Sequence, residues 1–135
     1  MYTYKLEVTS IYDGDTLNGV VDLGFNIRMD IKVRLARINT PEIRTKDLEE
    51  KEAAYAARDW LREFCEKYKD SLLVRTTEKG KYGRWIGEIL IDLSEHAYDV
   101  EITQKHEEMS DDIFEQYLNI NDLLVHEGHA EYKEY

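Results

Sequence analysis

The feature that most constrains the fold is an early hydrophobic period of two. Three segments alternate apolar and polar residues: "YKLEVTSIY" (4–12), "TLNGVVDLG" (16–24) and "FNIRMDIKVRLARI" (25–38). A period of two is typical of strands, whose side chains alternate between two faces, and "DGD" between the first two segments is typical of a hairpin turn. We therefore predict three antiparallel strands. In the third strand, either one set of alternating side chains or the other faces the core. If Ile27, Met29, Ile31, Val33 and Leu35 face the core, Arg34 lies on the opposite face.

The period becomes helical over residues 46–70, where an amphipathic helix is predicted with an apolar face of Ala53, Ala57, Leu61, Phe64, Cys65 and Tyr68. Residues 71–78 and 85–93 then form a hairpin of two more strands around "KGKYGR". The weakly periodic, acidic residues 93–118 are predicted to form a surface insertion with a short helix around Asp111–Leu118.

A short helix is predicted near the C-terminal end of the sequence, at "NINDLLVHEG". Its cap is Asn119 or Asn121, and Gly128 marks its end. These elements give an α+β fold, mainly β, with five strands, a helix after strand 3 and a short C-terminal helix. The 135 residues suit a single domain, 1–135, with the acidic insertion at about 93–118.

Charge is distributed unevenly along this chain. Residues 1–91 contain 16 Lys+Arg and 16 Asp+Glu, whereas residues 92–135 contain 2 and 13, so the whole net charge of −11 lies in the last third. Nucleic-acid binders usually carry a basic surface, but a local positive pocket is compatible with this total.

The N-terminal sequence has neither a basic start nor a long apolar run, so we read no signal peptide or membrane span and expect a cytoplasmic protein. A processed secreted form is the open alternative. Cys65 is the only cysteine, which fits a reducing compartment, and the four histidines show no zinc-ligand spacing with it.

Three polar clusters stand at predicted turns or strand ends, where functional groups are often displayed. "DGDT" (13–16) is either only a turn or the source of a carboxylate, Asp15, for a hard cation, with Asp13 beyond it through water. "NTPE" (39–42) either ends a strand or supplies Glu42 as a general base, with Asn39 and the Thr40 carbonyl as oxygen ligands.

Two arginines complete the set. Arg34 lies within an apolar strand and must face either solvent or a partner, and Arg84 follows "KYG" (81–83) at a hairpin. Two guanidinium groups can clamp a phosphate in a forked geometry that lysine does not match. Cation, base and arginines together are a possible phosphoryl-transfer set.

The order and spacing of these motifs resemble the staphylococcal nuclease (thermonuclease) family. The resemblance runs through "VTSIYDGDTL", "VRLARINTPE", "EKEAAYAARDWLREF" and "KYGRWIGEILID", and more weakly through "NDLLVHEGHAEY". It implies a five-stranded OB-fold barrel and a hydrolase that cleaves DNA and RNA phosphodiesters with calcium, leaving 3′-phosphate ends.

The resemblance also implies a role for each matching residue. The implied catalytic residues are Arg34, Glu42 and Arg84; the implied metal ligands are Asp15, Asn39 and Thr40, with Asp13 behind them; and the implied substrate-binding residues are Tyr82 and Lys81. Arg37, Ile43 and Arg44 receive no role. Tyr132 or Tyr135 is a candidate aromatic for the nucleotide pocket.

Asn39 departs from the family pattern, which usually has a metal-binding aspartate there. One charge fewer should weaken calcium binding and opens the site to other divalent cations. A non-catalytic OB-fold module that binds nucleic acid or protein is therefore the alternative function. A third hypothesis is that the acidic insertion covers the cleft until a partner displaces it. The natural substrate, protein partners, oligomeric state and pathway stay open.

Overall fold

A computed structural model describes residues 2–112 and 114–133 of the chain. The strands are β1 (Thr3–Asp13), β2 (Thr16–Asp22), β3 (Arg28–Leu35), β4 (Ile38–Asn39), β5 (Leu72–Lys79), β6 (Trp85–Asp92), β7 (Tyr117–Asn119) and β8 (Glu131–Tyr132). The helices are α1 (Leu48–Lys67), α2 (Val100–Met109) and α3 (Ile120–His126), and Lys81–Gly83 and Leu93–His96 form short 3₁₀ turns.

Five strands close into a barrel. They follow the order β3-β2-β1-β5-β6, and β6 returns to pair in parallel with β3. Strand β7 extends the free edge of β6, and β4 pairs with β8 in a small second sheet. The predicted mainly β, α+β fold with an OB-type barrel is therefore confirmed, including the helix after strand 3 and the short one near the end.

The inward face of β3 follows the predicted parity only in part. Ile31, Val33 and Leu35 are buried, but Ile27 and Met29 are exposed, so the prediction is wrong for these two. Ile27 lies in the turn before β3, and Met29 lies at the end of β3 farthest from its pairing with β6, which begins at Val33. Arg34 lies on the opposite face, as predicted.

Helix α1 begins at a conventional cap, since the Asp47 carboxylate accepts hydrogen bonds from the backbone N–H groups of Glu49 and Glu50. Its buried face consists of Ala54, Ala57, Leu61, Phe64 and Cys65, and Tyr68 is buried just beyond it. The prediction of Ala53 was wrong by one residue, because the row that faces the barrel passes through Ala54. This helix is the only long one, and no helix among the described residues is long and apolar enough to cross a membrane.

The acidic segment differs from its prediction. The described residues of the range 111–118 (111, 112 and 114–118) are not helical: the helix is α2 at Val100–Met109, and Leu118 lies in strand β7 opposite Ile91. Asp99 caps α2 by accepting from the Ile102 N–H, and the Ile102 side chain is fully buried in the main core. A single core residue gives almost no periodic signal, which explains why the sequence misplaced this helix.

Helix α3 matches its prediction. Asn119 is the cap, accepting from the N–H groups of Asn121 and Asp122, and Gly128 takes a positive φ of 82° just after the helix end.

Candidate active site

Asp15 lies at the β1–β2 turn, where this turn meets the segment after β4 and helix α1. Gly14 makes this meeting possible, because a Cβ at that position would lie 2.7 Å from Thr40 Cγ2 and 3.0 Å from Ala57 Cβ. The backbone of Asp15 is held on both sides, since its N–H donates to Asp13 Oδ1 and its carbonyl accepts from the Leu35 N–H. The turn therefore fixes Asp15 against the strand that carries Arg34.

The Asp15 carboxylate is nearly buried and is contacted by its neighbours. Its Oδ2 accepts from the Thr40 N–H at 2.9 Å and lies 3.4 Å from Arg34 Nη2. Its Oδ1 accepts from the Thr16 hydroxyl at 3.3 Å. A buried carboxylate needs such donors and a positive charge close by, and the start of the "NTPE" segment supplies one of the donors.

The Arg34 guanidinium lies between Asp15 and the end of β4. Nη2 donates to Asn39 Oδ1 at 2.6 Å and to the Ile38 carbonyl at 3.0 Å, and Nη1 donates to the Leu35 carbonyl at 2.8 Å. Only 13% of its side chain is exposed. These contacts bring Asp15, Arg34, Asn39 and Thr40 into one cluster, which we call the acid–arginine cluster.

Asp13 adds a second carboxylate to this cluster. Burial, together with the hydrogen bond and negative charge of the Asp15 side chain, raises the pKa of Asp13 to about 6. Two carboxylates this close repel each other when both are ionised. A cation bound beside them would relieve that repulsion.

The oxygen atoms around the acid–arginine cluster have the chemistry of ligands for a hard cation. They are the Asp15 carboxylate, the Asn39 amide oxygen and the Thr40 carbonyl. The Thr40 hydroxyl is buried and has no hydrogen-bond partner among the described residues, which leaves a further oxygen available there. Among residues 2–112 and 114–133, no three His, Cys, Asp or Glu side chains together form a metal site, so any cation there would depend on amide and carbonyl oxygens.

Glu42 stands apart from these contacts. Its side chain is exposed, and its backbone N–H donates to Glu50 Oε1 at 3.3 Å. Glu50 also accepts from the Thr45 hydroxyl, so this carboxylate in the first turn of α1 braces the loop that carries Glu42. The Glu42 carboxylate has no hydrogen bond or ion pair to any residue that the structure describes.

Lys81, Tyr82 and Arg84 lie on the turn between β5 and β6. Tyr82 is highly exposed and has a positive φ of 66°, and Gly83 follows it with a φ of 73°. Arg84 is half-buried and immediately precedes Trp85, whose partner across the barrel seam is Val33. Since Val33 precedes Arg34 and Trp85 follows Arg84, the closing β3–β6 pair places Arg84 just before the strand that neighbours Arg34.

Arg37, to which the sequence assigned no role, is the hub of an ion-pair network behind the cluster. Its guanidinium contacts Glu88 Oε1 at 2.9 Å and Asp122 Oδ1 at 3.0 Å, and Arg75 contacts Glu88 from the other side. Burial acts to raise the pKa of Glu88, but the hydrogen bonds and charges of Arg75 and Arg37 outweigh it and hold that pKa below its usual value. The positive φ of Arg37, 68°, was the feature that no sequence pattern revealed.

Asn121 was also missed, since the sequence offered it only as a possible cap. Its amide is fully buried: Oδ1 accepts from the Ile89 N–H, and Nδ2 donates to the carbonyls of Ala36 and Gly87. One side chain thereby joins α3, β6 and the turn after β3. The position of Asn121 between Ile120 and the apolar residues Leu123 and Leu124 is the signal that could have identified it.

Comparison with known proteins gives one family. Residues 32–135 match the family model described as staphylococcal nuclease homologue. The match covers most of the chain and includes Arg34, Asn39, Thr40, Glu42 and the 81–84 turn, whereas Asp13 and Asp15 precede it. A search of curated proteins returned no match.

Proposed function

From its membership of the staphylococcal nuclease family, we propose that this chain is a metal-dependent endonuclease, with calcium as the cation, that hydrolyses DNA or RNA phosphodiesters and leaves 3′-phosphate ends. The observation that carries the proposal is the acid–arginine cluster. At the β1–β2 turn the nearly buried Asp15 carboxylate contacts the Arg34 guanidinium and accepts from the Thr40 N–H, and the Asn39 amide oxygen accepts from the same guanidinium. The family supports the reaction class, and the side chains of this cluster support binding of a cation and a phosphate.

The residues of the cluster fit a calcium ion. Asp15, the Asn39 amide and the Thr40 carbonyl would hold it, with Asp13 behind them, and the ion would supply positive charge for the phosphate. Because Asn39 carries no charge, the set has one negative ligand fewer than a set with aspartate there, and other divalent cations become competitors.

Arg34 and Arg84 are the phosphate clamp in this proposal. Arg34 lies in β3, Arg84 immediately precedes β6, which pairs with β3 at the barrel seam, and Arg34 is already desolvated by its carbonyl contacts. Paired guanidinium groups bind the oxygens of a phosphodiester and gain strength as negative charge builds up on phosphorus. Lys81 and Tyr82, exposed on the adjoining turn, would contact the nucleotide chain.

Glu42 is the proposed general base. Its exposed carboxylate takes a proton from water, the resulting hydroxide attacks phosphorus, and the bond from phosphorus to the 5′ oxygen breaks. The phosphate stays on the 3′ side, and the 5′ oxygen takes up a proton to become a hydroxyl group. Glu50 braces the loop that carries this base, and the Glu42 side chain is in contact with solvent.

The test is digestion of single- and double-stranded DNA and of RNA by the purified chain, with millimolar calcium and then with EDTA. We expect cleavage that EDTA abolishes and products with 3′-phosphate ends. Glu42→Gln should lower the rate by about 10²-fold or more. Glu52→Gln, on the exposed face of α1, is the matched control and should not change it. Absence of metal-dependent cleavage would refute the proposal.

A non-catalytic nucleic-acid-binding module is the second candidate, and one contact favours it. Arg34 donates at 2.6 Å to Asn39, a neutral amide where the family usually has a carboxylate, so this guanidinium already occupies part of the cation's surroundings. This candidate predicts nucleic-acid binding without turnover. Glu42→Gln would then leave every measured property unchanged.

A further inference from the structure

The β2–β3 hairpin has an open strand edge. Strand β3 pairs with β2 along its whole length, but β6 joins its other side only from Val33 to Leu35. Among the residues that the structure describes, no other strand pairs with β3 over Arg28–Lys32. An open edge presents unpaired backbone N–H and C=O groups, to which a further extended chain can add a strand.

Only alternate residues of a strand direct their N–H and C=O groups to a given side. The Leu35 N–H donates to the Asp15 carbonyl on the β2 side. The Ala36 N–H donates to the Gly87 carbonyl on the β6 side. No bulge interrupts the β2–β3 register back to Arg28–Lys32. The even-numbered residues of this range therefore direct their N–H and C=O groups to the open edge, on the same side as those of Ala36.

Apolar side chains are exposed along the same edge. Phe25 at the hairpin tip is almost fully exposed, and Ile27 and Met29 are 54% and 41% exposed. The Phe25 backbone has a φ of 56°, a left-handed conformation that is rare for a bulky side chain. The odd-numbered row becomes buried further along β3, at Ile31 and Val33. An exposed apolar row that continues the core is typical of a surface that another molecule covers.

The sequence of this edge is complementary to itself. In an antiparallel pair of two copies of β3 centred on Met29, each Met29 lies opposite the other, and Ile27 lies opposite Ile31. Arg28 lies opposite Asp30, and the twofold symmetry repeats this pair. Opposite charges then meet on one face and apolar side chains on the other. Arg28 and Asp30 are also residues whose backbone groups face the edge, so they form the hydrogen-bonded pairs of the ladder.

Other registers of two β3 edges are unfavourable. Centred on Asp30, the pair opposes two carboxylates and places Arg28 against Lys32. Centred on Arg28, it opposes two guanidinium groups. Centred on Ile31, it would extend the added strand into the position that β6 already occupies from Val33 onward. The edge therefore favours one register with a second copy of itself.

We propose that the Arg28–Lys32 edge pairs with the same edge of a second copy of the chain, so that two barrels share one antiparallel sheet with a twofold axis at Met29. Pairing replaces only a weak surface contact, because Arg28 Nη1 lies 4.0 Å from Glu7 Oε2 and both side chains are largely exposed. The inference makes no use of the acid–arginine cluster, so it holds whether or not the chain cleaves nucleic acid.

Sedimentation equilibrium of the full chain, over about 1 μM to 1 mM, should show a monomer–dimer equilibrium, because an interface of one short edge is weak. Asp30→Arg should weaken the dimer by about tenfold or more, since it opposes two arginines on each side of the axis. Arg28→Asp should weaken it to a similar extent by opposing two carboxylates. An equimolar mixture of these two variants should regain the original affinity as a heterodimer, because the mixture restores both opposite-charge pairs.

Glu52→Arg is the matched control for charge, since Glu52 is exposed on α1. It changes the net charge by the same amount as Asp30→Arg and should leave the dimer unchanged.

A cysteine at the axis tests the register. Opposed residues of a non-hydrogen-bonded pair have Cα atoms about 4.5 Å apart, within the span of a disulfide, so Met29→Cys should form a covalent dimer under mild oxidation. Ile27→Cys is the matched control, because its two copies would be offset by about 13 Å along the strands. Cys65 is buried and does not compete. A non-reducing gel measures both products.

Three results would overturn the inference. The first is a chain that stays monomeric at about 1 mM, which includes the case of an edge that accepts only a peptide from a different protein. The second is a dimer that persists unchanged in both Asp30→Arg and Arg28→Asp, since it would use another surface. The third is equal cross-linking of Met29→Cys and Ile27→Cys, which would show random collision rather than a paired edge.

Discussion

At the scale of single residues, the chemistry of the site depends on what stands at position 39. The Asn39 amide oxygen accepts from Arg34 at 2.6 Å and, being uncharged, does not neutralise it. The Asp15 carboxylate lies 3.4 Å from the same guanidinium and does carry a negative charge. The cluster therefore combines a guanidinium that suits an anion with oxygen atoms that suit a cation. Its ligand set carries one negative charge fewer than the usual family pattern.

Replacing Asn39 with aspartate should tighten calcium binding on the order of tenfold, because carboxylate charge is a main determinant of calcium affinity. Titration calorimetry of the two proteins without substrate measures this directly. Asn26→Asp is the matched control, since Asn26 lies in the exposed β2–β3 turn at a backbone conformation that aspartate also tolerates. Equal or weaker affinity after Asn39→Asp would show that this side chain does not face the ion.

Glu88 allows a pH test of the network that supports Arg37. Its folded pKa lies below the ordinary value of 4.5 because Arg75 and Arg37 outweigh the effect of burial. A lowered carboxylate pKa adds stability above the unfolded pKa and loses it as the pH falls through the folded pKa. We therefore expect Glu88→Gln to destabilise the fold by about 2 kcal/mol at neutral pH and by progressively less below pH 4.5.

Urea unfolding of both proteins at several pH values measures that difference, with Glu52→Gln as a control for removal of an exposed charge. If the free energies of unfolding of the native protein and Glu88→Gln differ by the same amount from neutral to acidic pH, the lowered pKa of Glu88 is contradicted.

At the scale of elements, the acidic segment predicted as a surface insertion contributes two buried residues to the core. Ile102 of α2 is fully buried with the barrel residues, and Leu118 of β7 pairs with β6. Ion pairs join α2 to α1 through Lys67–Glu101 and to α3 through Lys105–Glu127 and His126–Glu108. None of these partners belongs to the acid–arginine cluster, and covering of the cleft by this segment stays a prediction.

Ile102→Ala should therefore lower the free energy of unfolding by about 3 kcal/mol, because it leaves a cavity among tightly packed neighbours. Val100→Ala, in the same helix but 76% exposed, should change it by less than about 0.5 kcal/mol. Urea titrations of the two variants and of the native protein measure both changes in the free energy of unfolding. Similar small effects for both would mean that α2 is a dispensable surface element.

At the scale of the whole molecule, charge separates along the sequence. The net charge of −11 comes from residues 92–135, and the proposed phosphate clamp lies in the neutral part that precedes them. A polyanion approaching the clamp meets an unfavourable long-range field, and only short-range contacts with arginine favour binding.

Removing three exposed acids, by Glu95→Gln, Glu107→Gln and Asp111→Asn, should therefore raise the association rate with single-stranded DNA by roughly two- to fivefold at low salt. Stopped-flow fluorescence measures the rate. In about 1 M salt the advantage should vanish, because the Debye length falls to about 3 Å. An unchanged rate at low salt would show that the acidic segment lies too far from the path of the nucleic acid.

The sequence by itself determined the order and type of the main elements. Period-two and helical patterns, the "DGD" turn, the Asn119 cap and Gly128 are local signals, because each depends on residues a few positions apart. The motifs also gave the family, which the match over residues 32–135 confirms. The same patterns failed where one residue carries the burial, as Ile102 does in α2.

Tertiary structure decided what depends on contacts distant in sequence. The barrel closure by β6 on β3, the burial of Asn121 against Ala36 and Gly87, and the ion pairs of Arg37 join segments separated by tens of residues, and no local period encodes them. The acid–arginine cluster depends on both sequence and tertiary structure. The motifs named its members, but only the close approach at Gly14 brings Asp15 to Thr40.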